Sequence, residues 1–292
     1  MTQIPSLEDF LAAPAEQVAG VAPATLIFAP GGTRRRAVLA GIAPQSEDYA
    51  RWSREQMVAC ARCFFTLGVR HLFMSIMRPR QLAEVGRYRE RLLDWIDWGV
   101  AGPEALADYR RHGWRARLLG ATSLPELRPA ADRLLEGSCG PDAHTLWFYA
   151  VPEAESTNEW LIEAMRRSRS HRPEQLRLAL YGELIPPATL YIGFGKPILV
   201  PDLLPPLIAG EAQCYWLQRP GYQIDEAIIR RIFYDCAYLR STWSQDKSAR
   251  YHNLEAQRTL WEQPAVLGLG RRVGAFWYPQ AHLGEEGSGN VV

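Results

Sequence analysis

Gly31 to Arg36, in the stretch FAPGGTRRRAVL, set two glycines and a threonine before three arginines. These residue types in this order suit the binding of an anion. Glycines let backbone approach a ligand closely and take dihedrals that other residues avoid. Thr33 is a good N-cap, and the unpaired amides of a helix start favour negative charge. Arg34 and Arg35 add bidentate donors suited to phosphate oxygens. The loop reads as a site for a phosphate or diphosphate. The plainer alternative is a tight strand-to-helix turn with solvated arginines. It is neither a Walker loop nor the dinucleotide fingerprint, because the GxxxxGK[ST] and GxGxxG spacings are missing.

A loop of this kind needs a strand before it and a helix after it. ATLIF (Ala24 to Phe28) reads as the first buried strand. A helix follows over SEDYARWSREQMVACARCFFTLG, with Ser46 as N-cap and Gly68 as the stop. HLFMSI, WRARLLG, HTLWFYAV, ATLYIGF and QCYWLQ read as further strands, with GAFWYP as one more near the end. Helical patterns cover QLAEVGRYRERLLDWIDW, EAESTNEWLIEAMRRSRS and IDEAIIRRIFYDCAYLR. Short apolar strands alternating with helices predict an α/β fold, a mostly parallel central sheet flanked by helices. No linker divides the chain. The expectation is one domain over residues 1–284 and a disordered tail over 285–292.

The 292 residues are 47% hydrophobic and 22% charged, with a formal net charge of +1. That balance fits a globule with a sizeable core and excludes a nucleic-acid surface. No basic, apolar leader and no run long enough to span a bilayer is legible, so the expected location is cytoplasmic. Five scattered cysteines fit reduced thiols. Cys60 and Cys63 form a CxxC without a second pair, which reads as helical core and not as zinc. The six histidines are isolated and form no HExxH, and GSCG at 137–140 is no nucleophile elbow.

A first strand, a short glycine loop and an Arg-Arg helix start together resemble the cis-prenyltransferases, the undecaprenyl diphosphate synthase family, whose loop reads DGNRRW. FMSIMRP (Phe73 to Pro79) resembles that family's second-strand motif ending in Arg-Pro, without its Glu-Asn-Trp core. The likeness is closest to the tuberculosinol synthase branch, diterpene-processing members of that fold with a DGTRRW loop. It continues in order through PQSEDY, GRY, YGE, YIGFGK and RRIFYDCAYLR. The resemblance implies loss of diphosphate from a prenyl or cyclic terpenyl diphosphate. Gly31, Gly32, Thr33, Arg34, Arg35 and Arg78 would bind the diphosphate. Arg34, Arg35, Tyr49 and Tyr88 would serve catalysis. The helix Arg87 to Trp98 and the strands HLFMSI and TLWFYAV are candidate cavity walls. A homodimer is implied by the same resemblance.

This chain also departs from the family pattern. The loop aspartate that holds magnesium falls at Gly31, and a later metal-binding glutamate falls at about Gln213. The resemblance implies Mg2+, yet glycine gives a hard cation no oxygen. Glu47 and Asp48 are substitute carboxylates, although first-turn acids ordinarily serve the helix dipole. Asp94 and Asp97 mimic a DxxD pair and read as a solvated face. Arg36 stands where the family has Trp. The region of the second diphosphate site reads GFGKPILVP, mostly apolar, which argues against repeated elongation. Three readings follow. The favoured one is a terpene synthase that removes one diphosphate and then cyclises, deprotonates or hydrates the cation. The others are an inactive homologue acting as a binding or partner subunit, and a terpenyl transferase to a nucleoside or other acceptor.

Overall fold

The protein, seen here as a computed structural model, is described over residues 4–83, 87–137, 139–140, 142–153, 155–240, 255–263 and 266–280. The expected tail at 285–292 and Gly86 of GRY lie outside these residues. The strands are β1 (Thr25–Phe28), β2 (His71–Met77), β3 (Arg115–Leu119), β4 (Thr145–Ala150), β5 (Ala188–Phe194) and β6 (Ala209–Leu217). They form one sheet in the order β3-β4-β2-β1-β5-β6, and every pairing is parallel. The expected α/β architecture is therefore present. A small antiparallel hairpin, β7 (Gly270–Val273) with β8 (Phe276–Pro279), stands apart from the sheet. GAFWYP belongs to this hairpin.

Helices α1 (Leu7–Ala12) and α2 (Ala15–Ala19) precede the sheet. After β1 come α3 (Thr33–Leu39) and α4 (Glu47–Thr66). After β2 come α5 (Pro79–Leu82), α6 (Tyr88–Trp95) and α7 (Pro103–His112), and after β3 comes α8 (Arg128–Glu136). Then follow α9 (Ser156–Ser168), α10 (Pro173–Tyr181), α11 (Glu226–Tyr234) and α12 (Arg258–Trp261). Two five-residue π-helical segments, Ile96–Val100 and Asp235–Leu239, extend α6 and α11.

Each face of the sheet is buried, which explains the continuous apolar strands. β2 sends Leu72, Met74 and Ile76 into one core with Phe64 of α4 and Phe233 of α11. It sends Phe73 into the other, with Trp160 of α9 and Tyr181 of α10. Cys60 is buried on α4, and no cysteine among the described residues is in a disulfide.

Several expectations need correction. Thr33 is the first residue of α3, and the capping position is Gly32, whose φ of 72° is left-handed. Ser46 does occupy the N-cap position of α4, but its hydroxyl donates to the Ala43 carbonyl at 2.8 Å and makes no capping bond. The expected helix over 81–98 is divided between α5 and α6, because Pro79 starts a separate short helix. α1, α2, α7, α8 and α10 were not anticipated.

Candidate active site

Loops at the carboxyl ends of parallel strands are where α/β folds bind ligands. A cavity of about 1050 Å³ opens there in this chain. β1 contributes Ala29 through the loop to Gly31, β2 contributes Ser75 and Ile76, β5 contributes Tyr191 and Phe194, and β6 contributes Trp216. α4 and the α6 region add Tyr49, Ser53, Leu92, Trp95 and Trp98. Aromatic rings therefore face the space from both sides of the strand ends. Trp147, Phe148 and Tyr149 of β4 do not; they are core, the ordinary role of such an apolar strand.

Gly31, Thr33, Arg34, Tyr49, Tyr88 and Arg78 all reach the cavity wall. The Arg34 guanidinium lies 4.6 Å above the Tyr88 ring, a cation–π contact. The Tyr49 hydroxyl donates to Thr33 Oγ1 at 3.0 Å. Burial raises the Tyr49 phenol above its ordinary value, while the Thr33 bond and Arg34 pull the other way. Arg78 already carries a carboxylate: its Nε donates to Asp202 Oδ2 at 2.9 Å, with a longer second bond of 3.4 Å from the same guanidinium.

Gly32 and Arg35 are not on the wall. The Arg35 guanidinium is held between rings, 5.0 Å from Phe194 and 4.4 Å from Phe276. α3 is only seven residues long, so its end contributes less to anion binding than the sequence pattern implies. The arginines carry more of that task.

The residues at the loop do not fit the magnesium site that the resemblance implies. A Cβ added at Gly31 would stand 2.7 Å from Phe194 Cδ1, closer than real side chains approach. The ring occupies the place where the missing carboxylate would begin. Gln213 faces away from the cavity, with its Nε2 donating to the Cys236 carbonyl at 3.4 Å. Glu47 and Asp48 do reach the wall; Asp94 also borders the cavity and is exposed, in keeping with a solvated face. Asp97 instead pairs with Arg133. Among the described residues no three His, Cys, Asp or Glu side chains gather to hold a metal.

Sequence reasoning missed Lys196, Ser75 and Trp216, all on the wall. Ser75 Oγ is buried, with no hydrogen-bond partner among the described residues. Lys196 follows β5 in GFGK, and neither it nor Arg51, Arg80 or Arg91 on the same wall makes an ion pair among the described residues. The place of Ser75, Lys196 and Trp216 at the carboxyl ends of β2, β5 and β6 emerges only once the strands are paired. Two other quoted motifs are architectural. Glu183 of YGE accepts from the buried Arg115 at 2.8 Å. Arg230 of RRIFYDCAYLR donates to the Ala13 carbonyl at 2.8 Å and pairs with Glu226.

No family model matches the chain. It is 44% identical over 282 residues to (+)-kolavelool synthase of Herpetosiphon aurantiacus, covering 96% of this chain and 98% of that protein. It is 24% identical over 295 residues to tuberculosinyl adenosine transferase of Mycobacterium tuberculosis, covering 94% and 98%. Among solved structures, lavandulyl diphosphate synthase from Lavandula x intermedia, in complex with dimethylallyl diphosphate, superposes with a TM-score of 0.59 at 14% identity. That match covers 75% of this chain and 97% of the other, and it shows the shared fold.

Proposed function

The chain belongs to the cis-prenyltransferase fold family, in the branch that holds (+)-kolavelool synthase and tuberculosinyl adenosine transferase, and from this we propose that it is a terpene synthase acting on a single prenyl or cyclic terpenyl diphosphate. One observation carries the reading beyond kinship. Arg34 lies over the Tyr88 ring on a cavity of about 1050 Å³ with aromatic walls. A cation for the departing anion thus adjoins an apolar space for the hydrocarbon. The volume lies at the upper end of the range for a whole small-molecule ligand.

The chemistry follows from that arrangement. The carbon–oxygen bond to diphosphate breaks and both electrons leave with the anion. Arg34 stabilises the charge that develops on the diphosphate oxygens. The carbocation left behind faces Tyr49, Tyr88, Trp95 and Trp98, whose ring faces attract positive charge. Water adds to the cation, and the proton released passes to the diphosphate. Alternatively, a proton passes from a carbon next to the cation to the departed diphosphate, and the product is a hydrocarbon. Arg78 lies on the same wall with its charge balanced by Asp202 and orients the anion more than it attracts it.

A second reading, transfer of the terpenyl group to a nucleoside or other acceptor, is favoured by the tryptophan rings on the cavity wall, Trp95, Trp98 and Trp216. Those rings offer a surface on which a flat acceptor would stack. We also read the protein as a cytosolic homodimer. The family resemblance supports the dimer, and so do the exposed apolar side chains Leu260, Trp261 and Leu267, a surface that a second copy would cover. No helix among the described residues is long and apolar enough to cross a membrane.

The test is diphosphate release from a panel of linear and bicyclic prenyl diphosphates, with product analysis in the presence and absence of nucleosides. Release with an alcohol or hydrocarbon product is expected. A nucleoside adduct would select the second reading. No release from any substrate would leave a binding or partner subunit.

A further inference from the structure

We infer that Phe194 and Lys196 together take the place of the carboxylate and magnesium ion at the glycine loop, so that this chain grips the diphosphate with its own side-chain cations. The inference rests on the terpenyl diphosphate reading of the site and deepens it.

The space comes first. β1 and β5 are paired neighbours, and Ala29 N–H donates to the Ile192 carbonyl at 2.9 Å. The loops that leave these two strands therefore run side by side. Phe194, the last residue of β5, lays its ring against Gly31, with Cδ1 2.7 Å from the site of an added Cβ and Cβ 3.3 Å from it. No acidic side chain fits beside that ring.

The charge comes second. A carboxylate and a divalent cation sum to one positive charge, and one lysine ammonium supplies the same. Lys196 is two residues beyond Phe194, lines the cavity and has no ion-pair partner among the described residues. Its loop is fixed to the end of β6. Gly195 takes a φ of 75°, its N–H donates to the Leu217 carbonyl at 2.8 Å, and Gln218 Nε2 donates to the Gly195 carbonyl at 3.0 Å. The tether holds the lysine beside the loop that carries Arg34. Glu47 and Asp48 face the same cavity, with no ion-pair partner among the described residues, and a cation beside the glycine loop offsets their repulsion of an anion.

The experiment is calorimetric titration of the purified full-length chain with inorganic diphosphate in excess EDTA. Binding is expected to persist with a dissociation constant within twofold of that in magnesium. Lys196→Met is expected to weaken it at least tenfold at an unchanged melting temperature, and Lys196→Arg to retain most of it. The double variant Gly31→Asp with Phe194→Ala is expected to acquire diphosphate binding that magnesium strengthens and EDTA removes. Loss of wild-type binding in EDTA would overturn the inference, as would undiminished binding by Lys196→Met. Either result leaves the terpene synthase reading standing if prenyl diphosphates still release diphosphate. If they do not, that reading fails on its own test.

Discussion

Tyr49, three residues into α4, hands its phenolic hydrogen to the hydroxyl of Thr33, the first residue of α3, across 3.0 Å. The bond fastens the arginine loop to the longest helix of the fold. Tyr49→Phe should cost about 1 kcal/mol of stability, the usual net worth of one such bond. It should also slow turnover, because Thr33 is freed next to Arg34. Burial raises the phenol above its ordinary value, so the neutral form persists through and beyond neutral pH. No limb assignable to Tyr49 is expected in the pH–rate profile below about pH 10. A limb between pH 7 and 9 that vanishes in Tyr49→Phe would contradict this.

Arg34 is exposed on the first turn of a short helix and rests on Tyr88. Exposed charges contribute little to folding. Arg34→Ala should therefore lower turnover by about two orders of magnitude, the scale of a lost anion-stabilising donor. Its melting temperature should barely move. Retained activity in this variant would end the loop hypothesis.

His71 is buried at the start of β2, where its Nδ1 accepts from Trp147 Nε1–H at 3.3 Å. Burial holds its pKa down to about 4, below the ordinary 6.5. The unfolded chain thus takes up a proton between those values while the folded chain does not. The associated stability is fully present above pH 6.5 and declines as pH falls towards 4, by up to about 3 kcal/mol. His71→Phe should flatten melting temperature against pH in that window. An equal slope in both proteins would assign acid lability to other groups.

Arg115 is buried on edge strand β3, where it donates to Thr145 Oγ1 at 2.7 Å and to both Glu183 oxygens. Glu183→Gln leaves that guanidinium buried without its counter-charge. A broken buried pair costs about 3 kcal/mol or more. A large fall in the denaturation midpoint is expected, with the KM for the diphosphate substrate little changed, because neither residue touches the cavity. A KM effect would give the YGE motif a role beyond architecture.

The sheet was legible because parallel strands buried on two faces appear as unbroken apolar runs, and TLIF, HLFMSIM and ATLYIGF are such runs. The helices that escaped notice are short, as α1 and α2 are, or have proline in their first turn, as α7, α8 and α10 do. At the site, Arg34, Tyr49 and Tyr88 could be named because they sit in short motifs. Lys196, Ser75 and Trp216 could not, since only the pairing of β5 with β1, β2 with β1 and β6 with β5 brings them to one space. Arg35 looks identical to Arg34 on paper. One residue further on, about 100° round the helix, it meets Phe194 and Phe276 instead.

The contact between Gly31 and Phe194 also couples two positions that lie far apart in the sequence. A Cβ placed at 31 would meet the ring at 2.7 Å, so an aspartate there requires the ring to move. A smaller residue at 194 would remove part of the wall and one of the two rings that seat Arg35. The two positions therefore behave as one lock with two keys: a carboxylate loop needs both turned together.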